Sequence, residues 1–476
     1  MDLKVLIVSG AFLIGVPVAV IAGLAWRPFQ KLLMALMCFS LCYPDALTVN
    51  LISRESYRMS TRGIELGLFD VCSIALLIIL MIKPHSGRFR WFPPLTISYG
   101  IYVLFVLLSW TLTPGDLPVP NLATQTYAKQ GYEFYHFFET SLYPLFEVTK
   151  LLRGGIVYLM IVNYIRDEEN LKTVIHSLVL VVAVMTFEAL LDRYFYGKHR
   201  VSGTLGHPNS LGTFMGMLGT LMFGFTLFRK TFISSALFGI ATASCLVSVL
   251  LTISRGALSA MVMGIWTVVS ALFHRYLNLK NFTILFLGSL LALGLFFVAA
   301  DTITTRFLGE QDAVSDIQYR GLYNEEARMM AADHPLGVGM GNFSTYSWLK
   351  YGRAVSLNEY GTQAHNLWYL TLGELGYPGL IAFIFYWLRC ASIGVPFLFR
   401  RNKGMIYAAA AAATAAILIG HIQFMLQLSY RQTSIFMLNK ILLGMIVACW
   451  YIDRDTRREE RALRAAQRNP NALGRL

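Results

Sequence analysis

Three arginines lie at polar turns between apolar stretches, where a permanently charged side chain could bind an anion. Arg200 comes shortly before a Ser-Gly-Thr-Leu-Gly turn, Arg255 separates two apolar stretches, and Arg320 lies in a long polar segment. A guanidinium group is planar and donates hydrogen bonds in pairs, so it suits phosphate oxygens better than an ammonium group does. Several of these groups together could hold a diphosphate. The alternative for each is an ion pair with a nearby carboxylate or a bond to helix-end carbonyls.

A histidine offers a second kind of chemistry. His365 stands directly before the apolar stretch 366–395. Because the pKa of imidazole is near neutral, this side chain could accept a proton from a hydroxyl while a new bond forms. The alternative is a structural residue at a helix start, bonded to a loop carbonyl. His207 and His334 both precede proline, which favours an extended backbone, and we interpret them as turn-setting residues.

Several other polar features are better explained by structure than by chemistry. Arg54, Arg58, Arg62 and Arg153 lie in or near the same set of connections, and a structural role is the favoured interpretation for them, either an ion pair with a nearby carboxylate or a bond to helix-end carbonyls. The glycine-rich run 336–342 does not follow a strand, so it is interpreted as a tight turn and not as a dinucleotide site. The six cysteines have no metal-like spacing and are interpreted as small core residues, and no metal site is predicted.

The composition identifies the environment in which these residues work. Of the 476 residues, 56% are hydrophobic and 14% are charged, and the mean hydropathy is +0.54. Average soluble domains contain about 25% charged residues. Apolar runs of about 20 residues match the thickness of a bilayer, and these runs lack the alternation of a β-barrel strand. The sequence therefore predicts an all-α polytopic membrane protein.

About 12–13 transmembrane helices are predicted, with one large loop between late helices. The apolar runs extend over 4–25, 31–46, 63–82, 93–112, 142–165, 171–194, 209–228, 231–252, 257–273, 281–300, 366–395, 404–427 and 433–451. The long polar stretch 301–365 supplies the large loop. The run 142–165 contains Lys150 and Arg153, so its first turns are expected outside the hydrocarbon.

Basic residues in the alternate connections predict the orientation. Lysines and arginines recur in short connections at 27–31, 83–90, 166–172, 229–230, 275–280 and 400–403 and in the tail. Such connections face the cytoplasm by the positive-inside rule. Arg200, Arg255, Arg320 and His365 then lie together on the opposite side. The net charge of +13 is explained by orientation in the membrane, and no nucleic-acid partner is predicted.

Four motifs in this order resemble the O-antigen ligase and Wzy-type polymerase superfamily. They are Arg200-Val-Ser-Gly-Thr-Leu-Gly-His-Pro-Asn-Ser210, Ser254-Arg-Gly-Ala257, Asp333-His-Pro-Leu-Gly-Val-Gly-Met-Gly-Asn-Phe343, and Ala364-His-Asn-Leu-Trp368 with the later Glu374-Leu-Gly376 and Pro378-Gly379. The similarity is strongest over 195–380. Polymerases are described by an arginine or histidine, ten further residues and a glycine. His365 and Gly376 meet this spacing, whereas Arg200 and Gly212 miss it by one residue.

The resemblance implies a GT-C-like glycosyltransferase of the bacterial inner membrane that uses no cofactor and no metal. Its donor would be a glycan on undecaprenyl diphosphate, and its active site would face the periplasm. Arg200, Arg255 and Arg320 would bind the diphosphate and stabilise the charge that develops on it, which makes Arg255 a catalytic residue as well. His365 would be the catalytic base on the acceptor hydroxyl.

The resemblance leaves the acceptor open. A polymerase would extend a lipid-linked repeat unit into O-antigen or exopolysaccharide, and a ligase would transfer the glycan to the lipid A-core of lipopolysaccharide. The segment 51–63 is more similar to exopolysaccharide polymerases, so polymerisation is favoured and ligation is the alternative. A protein O-oligosaccharyltransferase and a transporter or flippase of lipid-linked glycans are further alternatives. A chain-length regulator would be an additional partner of a polymerase.

This topology implies one membrane domain. Residues 1–452 are expected to form the transmembrane catalytic domain, in which 301–365 is the large periplasmic loop. Residues 453–476 are expected to form a basic cytoplasmic tail, and solvation of this tail is favoured over binding to anionic headgroups.

Overall fold

A computed structural model describes residues 3–51, 56–57, 60–61, 63–112, 140–229, 231–272, 275–276, 278–298, 310–355 and 363–468. Most of these residues are helical, and each predicted apolar run contains a helix. The predicted all-α polytopic membrane fold is therefore confirmed. The expected cations Arg54, Arg58 and Arg62 lie outside the described residues, as do 113–139, 301–309, 356–362 and the end of the tail.

The helices follow in chain order. They are α1 (Leu3–Ala25), α2 (Arg27–Ser40), α3 (Leu68–Ile82), α4 (Thr96–Leu112), α5 (Tyr143–Tyr164), α6 (Glu168–Leu190), α7 (Pro208–Phe228) and α8 (Phe232–Leu251). After these come α9 (Arg255–Leu272), α10 (Leu279–Val298), α11 (Glu310–Asp333), α12 (Phe343–Tyr346), α13 (Gly352–Ala354), α14 (Leu367–Phe399), α15 (Met405–Phe424) and α16 (Thr433–Arg468).

Short strands and turns occupy the connections. Strand β1 (Thr48–Asn50) pairs antiparallel with β4 (Glu65–Gly67), and β2 (Ser56–Tyr57) pairs antiparallel with β3 (Ser60–Thr61). Single 3₁₀ or π turns are formed by Thr140–Leu142, Leu191–Phe195, Gly203–Leu205, Ser347–Tyr351 and Leu428–Arg431.

Within the described residues, 7 helices are long and apolar enough to cross a membrane, namely α1, α6, α7, α9, α14, α15 and α16. Shorter apolar helices lie at Leu68–Ile82, Thr96–Leu112, Ser235–Leu251 and Leu279–Leu290. The chain is therefore a multi-pass membrane protein. The larger number of crossings, about 12–13, stays a prediction.

The connections collect at two ends of the helix bundle. At the first, which we call the basic end, Lys31 pairs with Glu169 at 2.8 Å and Arg90 pairs with Asp455 at 3.3 Å. It holds the connections predicted to face the cytoplasm. The second, which we call the cap end, holds 41–51, 56–57, 60–61, 63–67, 191–207, 252–254, 310–355 and 425–432. The structure groups the loops as the alternation of charge predicts, and which end faces the cytoplasm stays a prediction.

Contacts across the cap end join distant parts of the chain. The Thr433 hydroxyl donates to Glu65 at 2.9 Å, the Met340 amide donates to the Ser109 hydroxyl at 3.2 Å, and the Val201 amide donates to the Leu251 carbonyl at 3.2 Å. The polar segment around Met340 is thus attached to the ends of the membrane helices.

Helix α7 is the centre of the bundle, and small residues allow its neighbours to approach it. The most apolar window of this helix is 94% buried. A methyl group on Gly224 would overlap Ala412 of α15, and one on Gly264 of α9 would overlap Thr220 of α7. Close backbone approach through small residues is a common way to pack membrane helices.

Helix α14 is broken at Gly376, which has φ 63° and ψ −167°. The ring of Trp368 lies 5.2 Å from the ring of Phe383, although fifteen residues of straight helix would separate them by about 22 Å. The short first part of α14 therefore folds back on the second part. The apolar run 366–395 did not predict this break.

The predicted glycine-rich turn fits into this break. The amides of Val338 and Gly339 donate to the carbonyls of Gly373 and Glu374 at 3.2 and 2.9 Å, and the Tyr377 amide donates to the Pro335 carbonyl at 3.1 Å. These bonds use backbone groups that the break removes from the helical pattern. Gly337, Gly339 and Gly341 have φ of 88°, 93° and 88°, a region that favours glycine. The interpretation of the run as a tight turn is confirmed.

The chain continues as helix past the expected domain boundary at 452. Asp453 accepts hydrogen bonds from Tyr407 at 2.7 Å and from Arg457 at 3.0 Å and also pairs with Arg400. The first turns after the boundary are therefore held against the connection between α14 and α15. The tail is helical as far as Arg468.

We predict that Gly376→Ala destabilises the protein. A side chain at this φ costs about 1–2 kcal/mol, and the added methyl would overlap the Pro335 carbonyl oxygen, so the loss is expected to be at least about 2 kcal/mol. Thermal unfolding of the detergent-solubilised protein measures it. Gly321→Ala is the control, because a methyl group there meets nothing within 4 Å. Equal unfolding temperatures for the two variants would contradict this account of the break.

Candidate functional site

The loop that carries Arg200 is fixed by a buried aspartate. Asp192 accepts hydrogen bonds from the amides of Ser202 and Gly203 at 3.2 and 2.8 Å and pairs with Lys198 at 2.7 Å. The Arg200 Nε lies 3.5 Å from the carbonyl oxygen of Thr252, in the turn between α8 and α9. The structure thereby brings Arg200 to the turn that precedes Arg255.

The turn before Arg255 has an unusual backbone. Ile253 has φ 52°, a conformation that is costly for a β-branched residue. Ser254 follows, and its side-chain oxygen accepts from the Ala257 amide at 3.4 Å. A Cβ added at Gly212 of α7 would lie 2.6 Å from the Cβ of Ala257. Close packing against α7 therefore holds the first residues of α9, beginning with Arg255, in one position.

His365 and Arg320 form a second part of the cap end. The ring of Tyr323 lies 5.5 Å from the imidazole of His365. Arg320 is half-buried one turn earlier on the same helix, α11, and forms no ion pair with a residue that the structure describes. Helix α11 packs along α14. The structure thus places Arg320 and His365 on neighbouring elements. This agrees with the prediction that both lie on the same side of the membrane.

The end of α15 lies against the first turn of α9, next to Arg255. A Cβ on Gly256 would lie 3.2 Å from Nε2 and 3.3 Å from Oε1 of Gln423. The Gln423 amide therefore packs against the first turn of α9. Gln423 is 2% exposed, so this contact is part of the protein interior.

The same end of α15 contacts the helix that follows His365. The ring of His421 lies 5.1 Å from Trp368 and 4.4 Å from Trp387. Trp368 is three residues after His365 and lies near the start of α14. The start of α9 and the start of α14 therefore both contact the end of α15, on different faces, because side chains two residues apart point to different sides of a helix.

Arg153 belongs to a different, structural cluster. Its guanidinium pairs with Glu65 at 2.6 Å and with Asp70 at 2.7 Å. Burial opposes ionisation of Glu65, but Arg153 and Lys150 outweigh burial and hold the pKa of this carboxyl below its ordinary value. The favoured interpretation of Arg153 as a structural residue is confirmed, with two carboxylates as its partners. Lys150 is buried and the Arg153 side chain is only 12% exposed, so this part of α5 lies in the protein interior.

A second buried ion cluster lies beside the break in α14. Arg431 pairs with Glu374 and, at 3.5 Å, with Glu147, and Lys150 donates to the Arg431 carbonyl. Burial opposes the charge of Arg431, yet the two carboxylates outweigh this effect and raise its pKa. The backbone carbonyl of Glu374 also accepts from the Gly339 amide. The cluster therefore joins α5, α14 and the turn before α16.

The two histidines that precede proline have structural positions. The Nδ1 of His207 accepts from the Asn209 amide at 3.2 Å and caps the start of α7. The ring of His334 lies 5.4 Å from that of Tyr346, directly after α11 ends. Their interpretation as turn-setting residues is confirmed. The six cysteines are free and buried, as expected for core residues.

A buried carboxyl in α11 was not predicted. Glu326 is 0% exposed and forms no ion pair within the described part of the chain. Burial raises its pKa to about 7, and the Ser347 hydroxyl opposes part of this shift. Glu326 is one turn from Tyr323, which contacts His365. This carboxyl therefore titrates near neutral pH inside the helix that supports the candidate base.

The residues that the sequence did not single out fall into two groups. Glu147, Glu374 and Arg431 are charged residues in or beside apolar runs, and that unusual position could have identified them. Gln423 and Glu326 have no comparable signal, because uncharged or helical polar residues are common. Only the packing of α9, α11 and α15 shows where they lie.

The fold and the site define a class of protein. It is a multi-pass helical membrane protein whose broken helix, arginine-bearing turns and histidine meet at one end of the bundle. Residues 240–384 match the family model described as O-antigen ligase, which confirms the resemblance to the O-antigen ligase and Wzy-type superfamily. The match begins in α8 and extends through α9, α11 and the break in α14. No match to the chain was found among curated proteins.

We predict that the protein loses stability as the pH rises through the pKa of Glu326. A carboxyl with a raised pKa favours folding most below its unfolded value, about 4.5, and this contribution is lost as the pH rises through about 7. The expected loss between pH 5 and pH 8 is roughly 2–3 kcal/mol.

Glu326→Gln should remove most of this pH dependence and raise stability at pH 8. Thermal unfolding from pH 5 to pH 8 measures the difference. Glu325→Gln is a matched control, since Glu325 lies on the same helix with half of its side chain exposed, and its pair with Arg328 is worth little. An unchanged pH slope in Glu326→Gln would contradict the assignment.

Proposed function

We propose that the protein transfers a glycan from undecaprenyl diphosphate to a sugar hydroxyl at the cap end, and that it polymerises lipid-linked repeat units. One observation carries the proposal. The first turn of α9, which bears Arg255, and the start of α14, which follows His365, both lie within the segment that matches the O-antigen ligase family, and both contact the end of α15. A cationic group and a base are thereby held on either side of one helix end.

The chemistry needs both kinds of group. The oxygen of the acceptor hydroxyl forms a bond to the anomeric carbon of the donor sugar, while the bond from that carbon to the diphosphate oxygen breaks. His365 takes the hydroxyl proton, and negative charge develops on the departing lipid diphosphate. Arg255 and Arg200 would stabilise this charge from the turn between α8 and α9, and Arg320 would do so from α11.

The proposal includes the orientation of the protein. The basic end would face the cytoplasm, because its connections carry the lysines and arginines that the positive-inside rule requires. The cap end would then face the periplasm of a cell with two membranes. Donor and acceptor are both attached to lipid or to long glycans, so a chain-length regulator would act at this side. Ligation to lipid A-core is the alternative, since it uses the same donor and the same site.

We expect His365→Ala and Arg255→Ala each to lower the rate of glycan transfer by a factor of about 100 or more. Loss of a positioned base costs roughly 10²–10⁴ in rate, and loss of a group that stabilises developing charge costs roughly 10²–10³. Transfer is measured with purified protein in lipid nanodiscs. Both variants should unfold at the wild-type temperature.

The matched control for arginine is Arg328→Ala. Arg328 lies on α11 at the cap end, but its side chain is 58% exposed and pairs with Glu325. It should transfer glycan at the wild-type rate. Wild-type transfer by the double variant His365→Ala/Arg255→Ala would overturn the assignment of the site.

Reconstitution distinguishes the two acceptors. If the protein is a polymerase, purified protein supplied only with lipid-linked repeat units should produce a ladder of products that differ by one unit. If a product forms only after lipid A-core is added, the protein is a ligase. Gel electrophoresis of the products decides between these outcomes. No product under either condition, with folded protein and intact donor, would contradict the proposed transfer.

A further inference from the structure

A cavity of about 120 Å³ lies at the cap end, between the strand pair β1–β4 and the start of α16, and it is partly open to the outside. A water molecule needs roughly 10–15 Å³ of such space, so the cavity has room for a small ligand and not only for a single water. None of the described residues that line it belongs to the segment 240–384 that matches the family model. The cavity is therefore a feature of the chain that the family match does not cover.

Buried polar groups form part of the lining. The side chains of Glu65 and Arg153 are 8% and 12% exposed. Arg153 donates three hydrogen bonds, to Glu65 and to Asp70, through Nε and both terminal nitrogens. Because a guanidinium carries five N–H groups, two of them have no acceptor among the residues that the structure describes. These two groups can donate to a ligand while the ion pairs stay intact.

Two hydroxyls in the lining add acceptors. The Thr433 hydroxyl donates to Glu65 at 2.9 Å, and the Ser434 hydroxyl donates to the Leu41 carbonyl at 2.8 Å. Each hydroxyl uses its hydrogen in that bond and keeps lone pairs that can accept. Together with the N–H groups of Arg153, they give the lining both donors and acceptors.

The charges and the apolar surface of the lining favour an uncharged ligand. Of its charged side chains, Arg153 is cationic, whereas Glu65 and Asp45 are anionic. A phosphate would therefore meet two groups of its own charge. Val49 and Phe69 add apolar surface. A sugar ring combines hydroxyls that donate and accept with apolar C–H faces, so it fits this combination.

The wall of the cavity is attached to the loop that carries Arg200. Leu41 lines the cavity, and the carbonyl of the next residue, Cys42, accepts a hydrogen bond from the Thr204 hydroxyl. Thr204 lies four residues after Arg200 in the same loop. A ligand in the cavity would therefore lie beside the loop that bears a candidate diphosphate-binding arginine.

We propose that this cavity is a carbohydrate-binding site that holds one uncharged sugar residue of the glycan substrate. The preference for a sugar rests on the lining, and the glycan as its source rests on the transfer reaction proposed above. Because Arg255 and His365 do not line the cavity, the sugar that it holds would be a neighbour of the reacting sugars. The site would thus help to select which glycan is used.

Protection of an introduced cysteine tests the site without catalysis. Thr48 lines the cavity and is half-buried, and the six native cysteines are buried, so Thr48→Cys supplies a thiol that N-ethylmaleimide reaches through the cavity. The probes are the methyl glycosides of glucose, galactose and mannose, N-acetylglucosamine, inorganic phosphate, and undecaprenyl diphosphate without a sugar. At least one saccharide should slow the modification about fivefold at about four times its Kd. Phosphate and the bare lipid should not slow it.

Arg328→Cys is the matched control for accessibility. This side chain is 58% exposed at the cap end and does not line the cavity. The saccharides should leave the rate of its modification unchanged. Mass spectrometry of the protein in nanodiscs measures the modified fraction in both variants.

A second substitution tests the lining itself. Thr433→Val keeps the shape of the side chain but lacks the hydroxyl, and in the Thr48→Cys protein it should raise the Kd of the protecting saccharide about fivefold. Thr242→Val is the matched control, because the Thr242 hydroxyl donates to the Phe238 carbonyl of its own helix, outside the lining. It should leave this Kd unchanged. If Thr433→Val does not fold, protection of Thr48→Cys alone decides the proposal.

The outcomes distinguish the two proposals. The site is overturned if no saccharide protects Thr48→Cys, if phosphate or the bare lipid protects it instead, or if Arg328→Cys is protected equally. A protecting saccharide should also accept glycan from the donor or slow its transfer, and if it does neither, the glycan substrate is the wrong source. If saccharides protect while wild type transfers no glycan, the proposed function fails and the sugar site stands. If transfer is measured without protection, only the sugar site fails.

Discussion

The break in α14 at Gly376 is the constraint on which the cap end depends. Inside a membrane every backbone group needs a partner, so a break in a spanning helix is stable only where other protein groups supply the missing bonds. Val338 and Gly339 supply them from the glycine-rich segment. Because the break folds the start of α14 back toward α15, Trp368 reaches His421. A straight helix would carry His365 away from the end of α15.

Buried ion clusters then fix the helices around this break. Burying a charge is costly unless it is paired, and removing one partner of a buried pair typically costs about 3–5 kcal/mol. Arg431 is paired with Glu374 and Glu147, and Arg153 with Glu65 and Asp70, so these two arginines are committed to structure. Their partners lie on α3, α5, α14 and the strand β4.

Sequence reasoning succeeded where a single local property decides the outcome. Length and hydropathy predicted the helices, and the glycine-rich run predicted the turn at 336–342. It failed where the outcome depends on contacts between distant residues. The sequence presented Gly376 only as part of a spacing pattern. No neighbouring residue indicates that the distant Pro335 carbonyl accepts from the Tyr377 amide beside it. Gln423 is an ordinary residue of an apolar helix until α9 is packed against it.

The half-buried position of the candidate residues has a chemical consequence. A sugar diphosphate can react with water as well as with a sugar hydroxyl, and a base such as His365 would activate either one. Closing the site against water favours the intended acceptor and strengthens the interaction of arginine with developing charge. On the proposed function, α11 and the start of α14 exclude water from the end of α15.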